Sequence, residues 1–263
     1  VYLTTAFQYK GLSLGMDVSY MFGVLSARTE SAVSDTLHSG FLLRTNNLNM
    51  KGLHFSYGLQ YKYDLGEYSN ITVGAVYRQA SDLDSRKVLF GHTVLTSPYA
   101  TLKDTIVQDT VRNLTAELPQ GYSAGVSYKS KRWLFSVDYS ADMWEGVSID
   151  QRPLSETVNS FKFSGGLEYR PSHVPETYWQ ALRFRLGGYY MSDYIKAAGN
   201  KVEAYALTFG FGIPAQKSRT MLNLNFEIGK KGKLSSNTLS ENFYGLNLSI
   251  NMSDIWFIQR KFD

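Results

Sequence analysis

Residues 161–170 read Phe-Lys-Phe-Ser-Gly-Gly-Leu-Glu-Tyr-Arg. Aromatic and aliphatic side chains occupy odd positions, whereas lysine, serine, glutamate and arginine occupy even ones. Because successive side chains of a β-strand point to opposite faces, this alternation predicts a strand with one apolar and one polar face. Residues 222–228, Leu-Asn-Leu-Asn-Phe-Glu-Ile, repeat the pattern with asparagines on the polar face.

Eleven segments of the chain alternate in this way, with strands of about ten to thirteen residues, the length that a tilted strand needs to cross a bilayer. Their number and the full charges on their polar faces favour a membrane barrel over a soluble sandwich. We therefore predict an all-β, antiparallel transmembrane β-barrel with a polar lumen. The alternating cores lie at 1–9, 12–22, 53–63, 71–77, 122–128, 133–141, 161–169, 182–190, 205–213, 222–228 and 244–250.

Composition agrees with a barrel. The 19 Tyr, 15 Phe and 4 Trp suit the aromatic girdles at the two membrane interfaces. No apolar run is long enough for a transmembrane helix, and backbone groups in lipid must then pair within a closed barrel. The absence of Cys excludes disulfides and thiolate chemistry. A net charge of +4 without a basic stripe argues against nucleic acid as a partner.

Connections between the segments sort by length. Those at 10–11, 64–70, 129–131, 171–179 and 214–217 are mostly short, and those at 25–50, 82–120, 145–157, 194–200 and 230–240 are mostly longer. Short turns belong to the periplasm and long loops to the cell exterior. We expect the longest excursion to contain a short helix around Thr101 to Glu117.

The number of segments predicts further strands. On this sidedness the last segment runs toward the periplasm, and bacterial barrels have an even strand count with both termini periplasmic. Eleven is odd, so we expect an odd number of strands before Val1, where the sequence opens with neither Met nor a signal peptide.

Three stretches resemble the FadL-like (OMPP1/FadL/TodX) family of outer-membrane barrels. The first is Gly-Leu-Ser-Leu-Gly at 11–15 leading to Tyr-Met-Phe-Gly at 20–23. The second is Leu-Pro-Gln-Gly-Tyr at 118–122, followed by residues 133–144 with Asp-Tyr at 138–139. The third is the terminus 254–263, which is similar to members found in Bacteroidota.

The resemblance implies about fourteen strands and an N-terminal hatch. Residues 1–263 would then form a single barrel domain in the bacterial outer membrane, with the hatch and about three strands outside this sequence. It also implies uptake of hydrophobic compounds such as long-chain fatty acids. FadL-like barrels of Bacteroidota also resemble components of secretion and barrel-assembly complexes. The alternative is therefore a non-enzymatic structural subunit of a multi-protein outer-membrane complex, of the barrel-assembly or type 9 secretion machinery. Expected partners are outer-membrane lipid, a fatty acid or other hydrophobic ligand, and outer-membrane proteins.

The polar face offers two kinds of site. Acids in a barrel lumen usually pair with lumen bases, so we predict a lumen charge network. The alternative is a site for a ligand carboxylate, anchored by Arg183 and Arg185. The predicted network consists of Arg78, Asp138, Asp142, Lys162, Glu168 and Arg170.

Residues 86–100 are unusually apolar for an extracellular connection, notably at Leu89, Phe90 and Val94. One interpretation is a strand that continues above the membrane or packs within its own loop. The other is a hydrophobic capture groove or a docking surface. No nucleophile–base pair and no metal-ligand spacing of the four His is present, so we expect no enzyme activity, no metal and no cofactor.

Overall fold

The computed structural model describes residues 1–34, 39–96, 101–149, 152–153, 157–197, 199–215, 220–232 and 240–252. They form one antiparallel sheet of 15 strands and a 3-10 helix, Tyr178–Ala181. Within these residues, no helix is long and apolar enough to span a membrane. The strands are β1 Tyr2–Tyr9, β2 Leu12–Ser34, β3 Ser39–Gly66, β4 Ser69–Arg78, β5 Ser81–Thr96, β6 Thr101–Leu118, β7 Gly121–Lys129, β8 Trp133–Asp142, β9 Ser148–Ile149, β10 Arg152–Pro153, β11 Ser160–Tyr169, β12 Arg183–Ala197, β13 Asn200–Pro214, β14 Met221–Lys231 and β15 Glu241–Asn251.

Two pairs of strands that are consecutive in the chain, β4 with β5 and β6 with β7, each form a single crossing of the membrane. Strands β4 and β5 both pair with β3 on one side. On the other side, β4 pairs with β7 and β5 pairs with β6. With each pair counted once, and the two-residue strands β9 and β10 left out, the described residues make eleven crossings. The prediction of an all-β antiparallel fold with about eleven strands is confirmed.

The register keeps the apolar faces together across the whole sheet. Leu14 of β2 lies opposite Phe7 of β1 and Leu59 of β3. At the other side of the sheet, Leu224 of β14 lies opposite Phe211 of β13 and Leu248 of β15. A slip of one residue would bring charged side chains onto this face, so the pattern specifies the register strongly.

Solvent exposure separates the two faces. On β13, Tyr205 and Leu207 are 56% and 59% exposed, whereas Ala204 and Ala206 on the other face are 5% and 3% exposed. A continuous apolar surface this exposed suits contact with lipid. The apolar face is therefore the outer face, and the polar face is the lumen face.

The sheet curves around the lumen face. Met21 of β2 and Ile195 of β12 line one cavity, although six strand-to-strand steps separate these strands in the sheet. In a flat sheet those steps would place them about 29 Å apart. Among the described residues, β1 pairs only with β2 and β15 only with β14.

Four strands extend well beyond the bilayer span. Strands β2 and β3 are 23 and 28 residues long and stay paired from Leu12–Tyr61 to Ser34–Ser39. About 12 residues of β2 exceed the span, which corresponds to about 40 Å. We call residues 23–34, 39–51, 81–96 and 101–118 the projecting sheet, and its side of the barrel the long-hairpin end. The opposite side is the short-turn end.

Two expectations about these residues are wrong. The sequence predicts loop excursions at 25–50 and 82–120, but the described parts of these segments are mainly strands. The expected helix around Thr101 to Glu117 is strand β6, paired with β5. Residues 101–118 contain several Thr, Val and Ile residues, whose branched side chains lose rotamer freedom in a helix and fit a pleated sheet.

Candidate functional site

An ion pair on the lumen face toward the long-hairpin end joins β4 to β8 across the intervening strand β7. Arg78 of β4 donates from Nη2 to Oδ1 of Asp142 on β8 at 2.7 Å, and from Nη1 to Oγ of Ser123 on β7 at 3.1 Å. Gly121 lies between the two charged residues, and a Cβ there would collide with both side chains. Three strands are thus linked through one guanidinium.

A second group, which we call the arginine cluster, consists of Glu168, Arg170, Arg183 and Arg185. Glu168 on β11 and Arg185 on β12 are direct cross-strand partners. The Glu168 carboxylate accepts hydrogen bonds from Nε of Arg170 at 2.6 Å and from Nε of Arg185 at 2.8 Å. Nη1 of Arg183 lies farther away, 4.0 Å from Oε1. Arg185 also donates to the buried Asn223 at 2.8 Å.

The other two predicted lumen charges, Lys162 and Asp138, form no ion pair with either group among the described residues, although Asp138 lines one cavity with Glu168 and Arg185. Nζ of Lys162 sits 4.7 Å from the ring centroid of Tyr189, whose hydroxyl donates to Glu227 at 2.7 Å. Asp138 lies opposite Gly125 and Ser164, and among the described residues it forms no ion pair. The structure therefore brings the six predicted residues into separate groups, and one continuous network across the lumen stays a prediction.

An apolar cavity of about 640 Å³, the mouth cavity, opens on the lumen side at the root of the projecting sheet. Trp144 stacks on Tyr194 in its wall, with ring centroids 4.5 Å apart. Its acidic lining residue, Glu117, accepts the backbone N–H of Ser148 at 2.8 Å. Apolar side chains from β2, β3, β5, β6, β8–β9 and β12 converge here, namely Met21, Phe22, Leu25, Met50, Leu83, Ala116, Leu118, Trp144, Ile149, Tyr194 and Ile195.

A second concavity, the outer groove, lies on the outer face of the same root and has a volume of about 980 Å³. Phe22 and Val24 are 67% and 58% exposed in its wall. Strand β6 bulges opposite β5 at this level, where Asn113 adopts a φ of +58°. The charged and polar lining residues are Asn49, Lys51, Asp84, Ser85, Arg86, Arg112 and Asn113.

The predicted apolar stretch lies in β5, within the projecting sheet. Phe90 and Val94 pair with Thr45 and Phe41 and so share the outer side of the sheet. Leu89 points to the lumen side, opposite Asn46. None of the three predicted residues lines the mouth cavity or the outer groove. A capture role for them stays a prediction.

Aromatic and charged contacts link the turns at the short-turn end. Nζ of Lys131 lies 4.3 Å from the ring centroid of Tyr68, and the His173 ring lies 4.9 Å from it. A hydrogen bond with Glu67 raises the pKa of the Tyr68 hydroxyl above its ordinary value. Three separate turns therefore contact one another around Tyr68.

A family comparison assigns the whole chain, because residues 1–263 match the family described as BamG. The chain belongs to the BamG family. Among solved structures, the BamG-family chain is similar to one described as the CymD monoaromatic hydrocarbon channel. The identity is 13% and the TM-score 0.47, over 96% of this chain and 82% of that one. It is also similar to OccK10 (OpdN) of Pseudomonas aeruginosa, with 10% identity and a TM-score of 0.35, over 97% of this chain and 92% of that one. A comparison with curated proteins finds no match.

BamG is a different family from the FadL-like family that the sequence motifs resemble. The broader prediction of a barrel in the bacterial outer membrane is confirmed. The FadL-specific assignment and the origin in Bacteroidota stay predictions, and the terminal motif at 254–263 lies outside the described residues.

The residues around the two concavities of this BamG-family barrel were missed by sequence reasoning. On β2, Val24 continues the apolar outer-face alternation to which Phe22 belongs. This continuation is the sequence signal that the strand extends beyond residue 22. No local signal identifies Trp144 or Ile195, because they meet Met21 only through the curvature of the sheet.

Proposed function

We propose that this BamG-family barrel is a non-enzymatic structural subunit of a multi-protein outer-membrane complex, of the barrel-assembly or secretion kind. The observation that carries the proposal is the projecting sheet with the outer groove at its root. Membership of the BamG family supports the same proposal. The partner would be another outer-membrane protein lying beside the barrel at its long-hairpin end.

The outer groove has the composition of a protein interface. Exposed apolar side chains at Phe22 and Val24 lie beside Arg86 and Arg112, and apolar groups combined with arginine are typical of interface hot spots. On the outer face of β3, the apolar Leu53 gives way to the charged Lys51 in the direction of the projecting sheet, and the groove begins there. It therefore lies at the edge of the apolar surface. A laterally placed protein reaches this groove without entering the lumen.

Two adjacent residues give a matched test of the proposal. Val24 and Leu25 are almost equally exposed, at 58% and 55%, but Val24 lines the outer groove and Leu25 lines the mouth cavity. We expect Val24→Glu to abolish co-purification of stoichiometric outer-membrane partners and Leu25→Glu to leave it intact. Affinity purification of the tagged full-length protein in mild detergent measures this. Partners that are lost equally from both variants, or from neither, would contradict docking in the groove.

The mouth cavity favours a second candidate function, uptake of a hydrophobic compound such as a long-chain fatty acid. Apolar side chains line most of it, and burial of each ligand CH₂ contributes about 0.8 kcal/mol. Here we expect the opposite result, with Leu25→Glu reducing uptake of a labelled fatty acid by cells and Val24→Glu leaving it unchanged. Unaltered uptake in Leu25→Glu would argue against the cavity as the binding site.

A further inference from the structure

The arginine cluster carries more positive charge than its own acid neutralises. Asp138 lines the same lumen cavity as Glu168 and Arg185, but among the described residues it forms no ion pair with the cluster. Arg170, Arg183 and Arg185 bring three positive charges against the single negative charge of Glu168, a net charge of +2. We propose that this cluster is a binding site for a phosphate group, on the lumen face near the short-turn end. The site is independent of the outer groove and so goes beyond the proposed function.

The contacts around Glu168 divide the three arginines by role. Arg170 occupies Oε1 and Arg185 occupies Oε2, so both carboxylate oxygens already have a close partner. The Arg185 bond alone joins β11 to β12, because Arg170 follows Glu168 by two residues on the same side of this strand pair. Arg183 stands 4.0 Å away, and among the described residues its guanidinium donates no hydrogen bond. The link between β11 and β12 therefore does not require Arg183. In a ligand site, the guanidinium of Arg183 supplies N–H donors that the Glu168 carboxylate does not use.

The cluster is accessible and prearranged. The side chains of Arg170, Arg183 and Arg185 are 33%, 33% and 30% exposed, while that of Glu168 is 10% exposed. Gly212 lies opposite Arg183, and a Cβ there would fall 3.1 Å from the Arg183 Cβ. The glycine leaves room beside the base of the Arg183 side chain, and a Cβ there would also lie 3.5 Å from Nη2 of Arg185. Partial burial reduces the competition of water for these donors.

The charge and the donor geometry select the ligand. A guanidinium presents paired N–H donors that match the oxygens of phosphate or carboxylate. A net charge of +2 is balanced by a phosphate dianion, whereas a single carboxylate would leave one positive charge uncompensated. The inferred ligand group is therefore phosphate, either free or as the headgroup of a lipid.

Phosphate binding is testable by following the thermal unfolding midpoint of the purified protein in detergent. We expect sodium phosphate to raise the midpoint more than sodium chloride at equal ionic strength. Arg183→Gln should weaken the apparent phosphate affinity about tenfold or more, the loss of one charge-assisted contact. Arg28→Gln is the control, since Arg28 lies exposed on the projecting sheet.

Glu168→Gln gives a change of opposite sign. It raises the net charge of the cluster to +3, so phosphate should bind this variant more tightly than the wild type. Phosphate should also restore more of the thermal stability that the substitution removes than chloride does. Titration with phosphatidic acid in the same detergent separates the sources, because a stronger response to the lipid than to inorganic phosphate indicates a headgroup site. Equal effects of phosphate and chloride on the wild type, or an unchanged affinity in Arg183→Gln, would overturn the proposal.

Discussion

At the scale of single residues, we expect partial burial and close approach together to distinguish the charge pairs that stabilise the barrel from those that do not. The side chains of Arg78 and Asp142 are 32% and 37% exposed and lie 2.7 Å apart, whereas those of Arg28 and Glu30 are 63% and 53% exposed and 3.8 Å apart. Exposed pairs contribute little, because water screens them and the side chains lose freedom. Sequence alternation placed Arg78 and Asp142 on one face, but only the pairing of β4, β7 and β8 brings them together.

A double-mutant cycle measures this difference. We expect a coupling energy of about 1 kcal/mol between Arg78→Gln and Asp142→Asn, and a value near zero for the same changes at Arg28 and Glu30→Gln. Denaturant unfolding of the barrel in lipid vesicles supplies the four stabilities of each cycle. Equal coupling in the two pairs would mean that neither partial burial nor the shorter separation strengthens the Arg78–Asp142 pair.

At the scale of the strand, the sequence was informative within the bilayer span and misleading above it. Inside the span, lipid lies on one face and the lumen on the other, so residues such as Leu222 and Asn223 alternate sharply. In the projecting sheet both faces lie outside lipid, and the polarity contrast disappears. Residues 25–50 and 82–120 therefore resemble loops in sequence, although the pairing of β2 with β3 and of β5 with β6 organises them.

Adjacent residues of β15 test the assignment of the faces. Leu248 lies on the outer face opposite Leu224, and Asn247 lies on the lumen face opposite Asn225. Leu248→Arg should cost about 2–4 kcal/mol near the membrane midplane, because the charge enters lipid, and Asn247→Arg should cost much less. Unfolding in vesicles by urea gives both values. Similar costs at the two positions would rule out the register.

At the scale of the whole molecule, the surface consists of a lipid-facing region, a lumen-facing region and the projecting sheet beyond the bilayer. The outer groove and the mouth cavity open on opposite faces at one root and share Phe22, Gly23 and Met50 in their linings. The proposed partner and the proposed hydrophobic ligand would therefore lie on different sides of the same strands. Their positions depend on the curvature of the sheet and on a bulge at 112–113, neither of which is encoded by the local period of the sequence. This is why the fold was predictable and the two concavities were not.

Shortening the projecting sheet distinguishes its tips from its root. Ser26 lies opposite Asn47, and Val88 opposite Thr110, so residues 27–46 and 89–109 can each be replaced by Asn-Gly, which closes a two-residue hairpin in the same register. All lining residues of the outer groove remain in this variant. We expect the shortened barrel to keep its partners on affinity purification and to lose them when Val24→Glu is added. If shortening alone removes the partners while the barrel still folds and inserts, the docking surface lies at the tips and not in the groove.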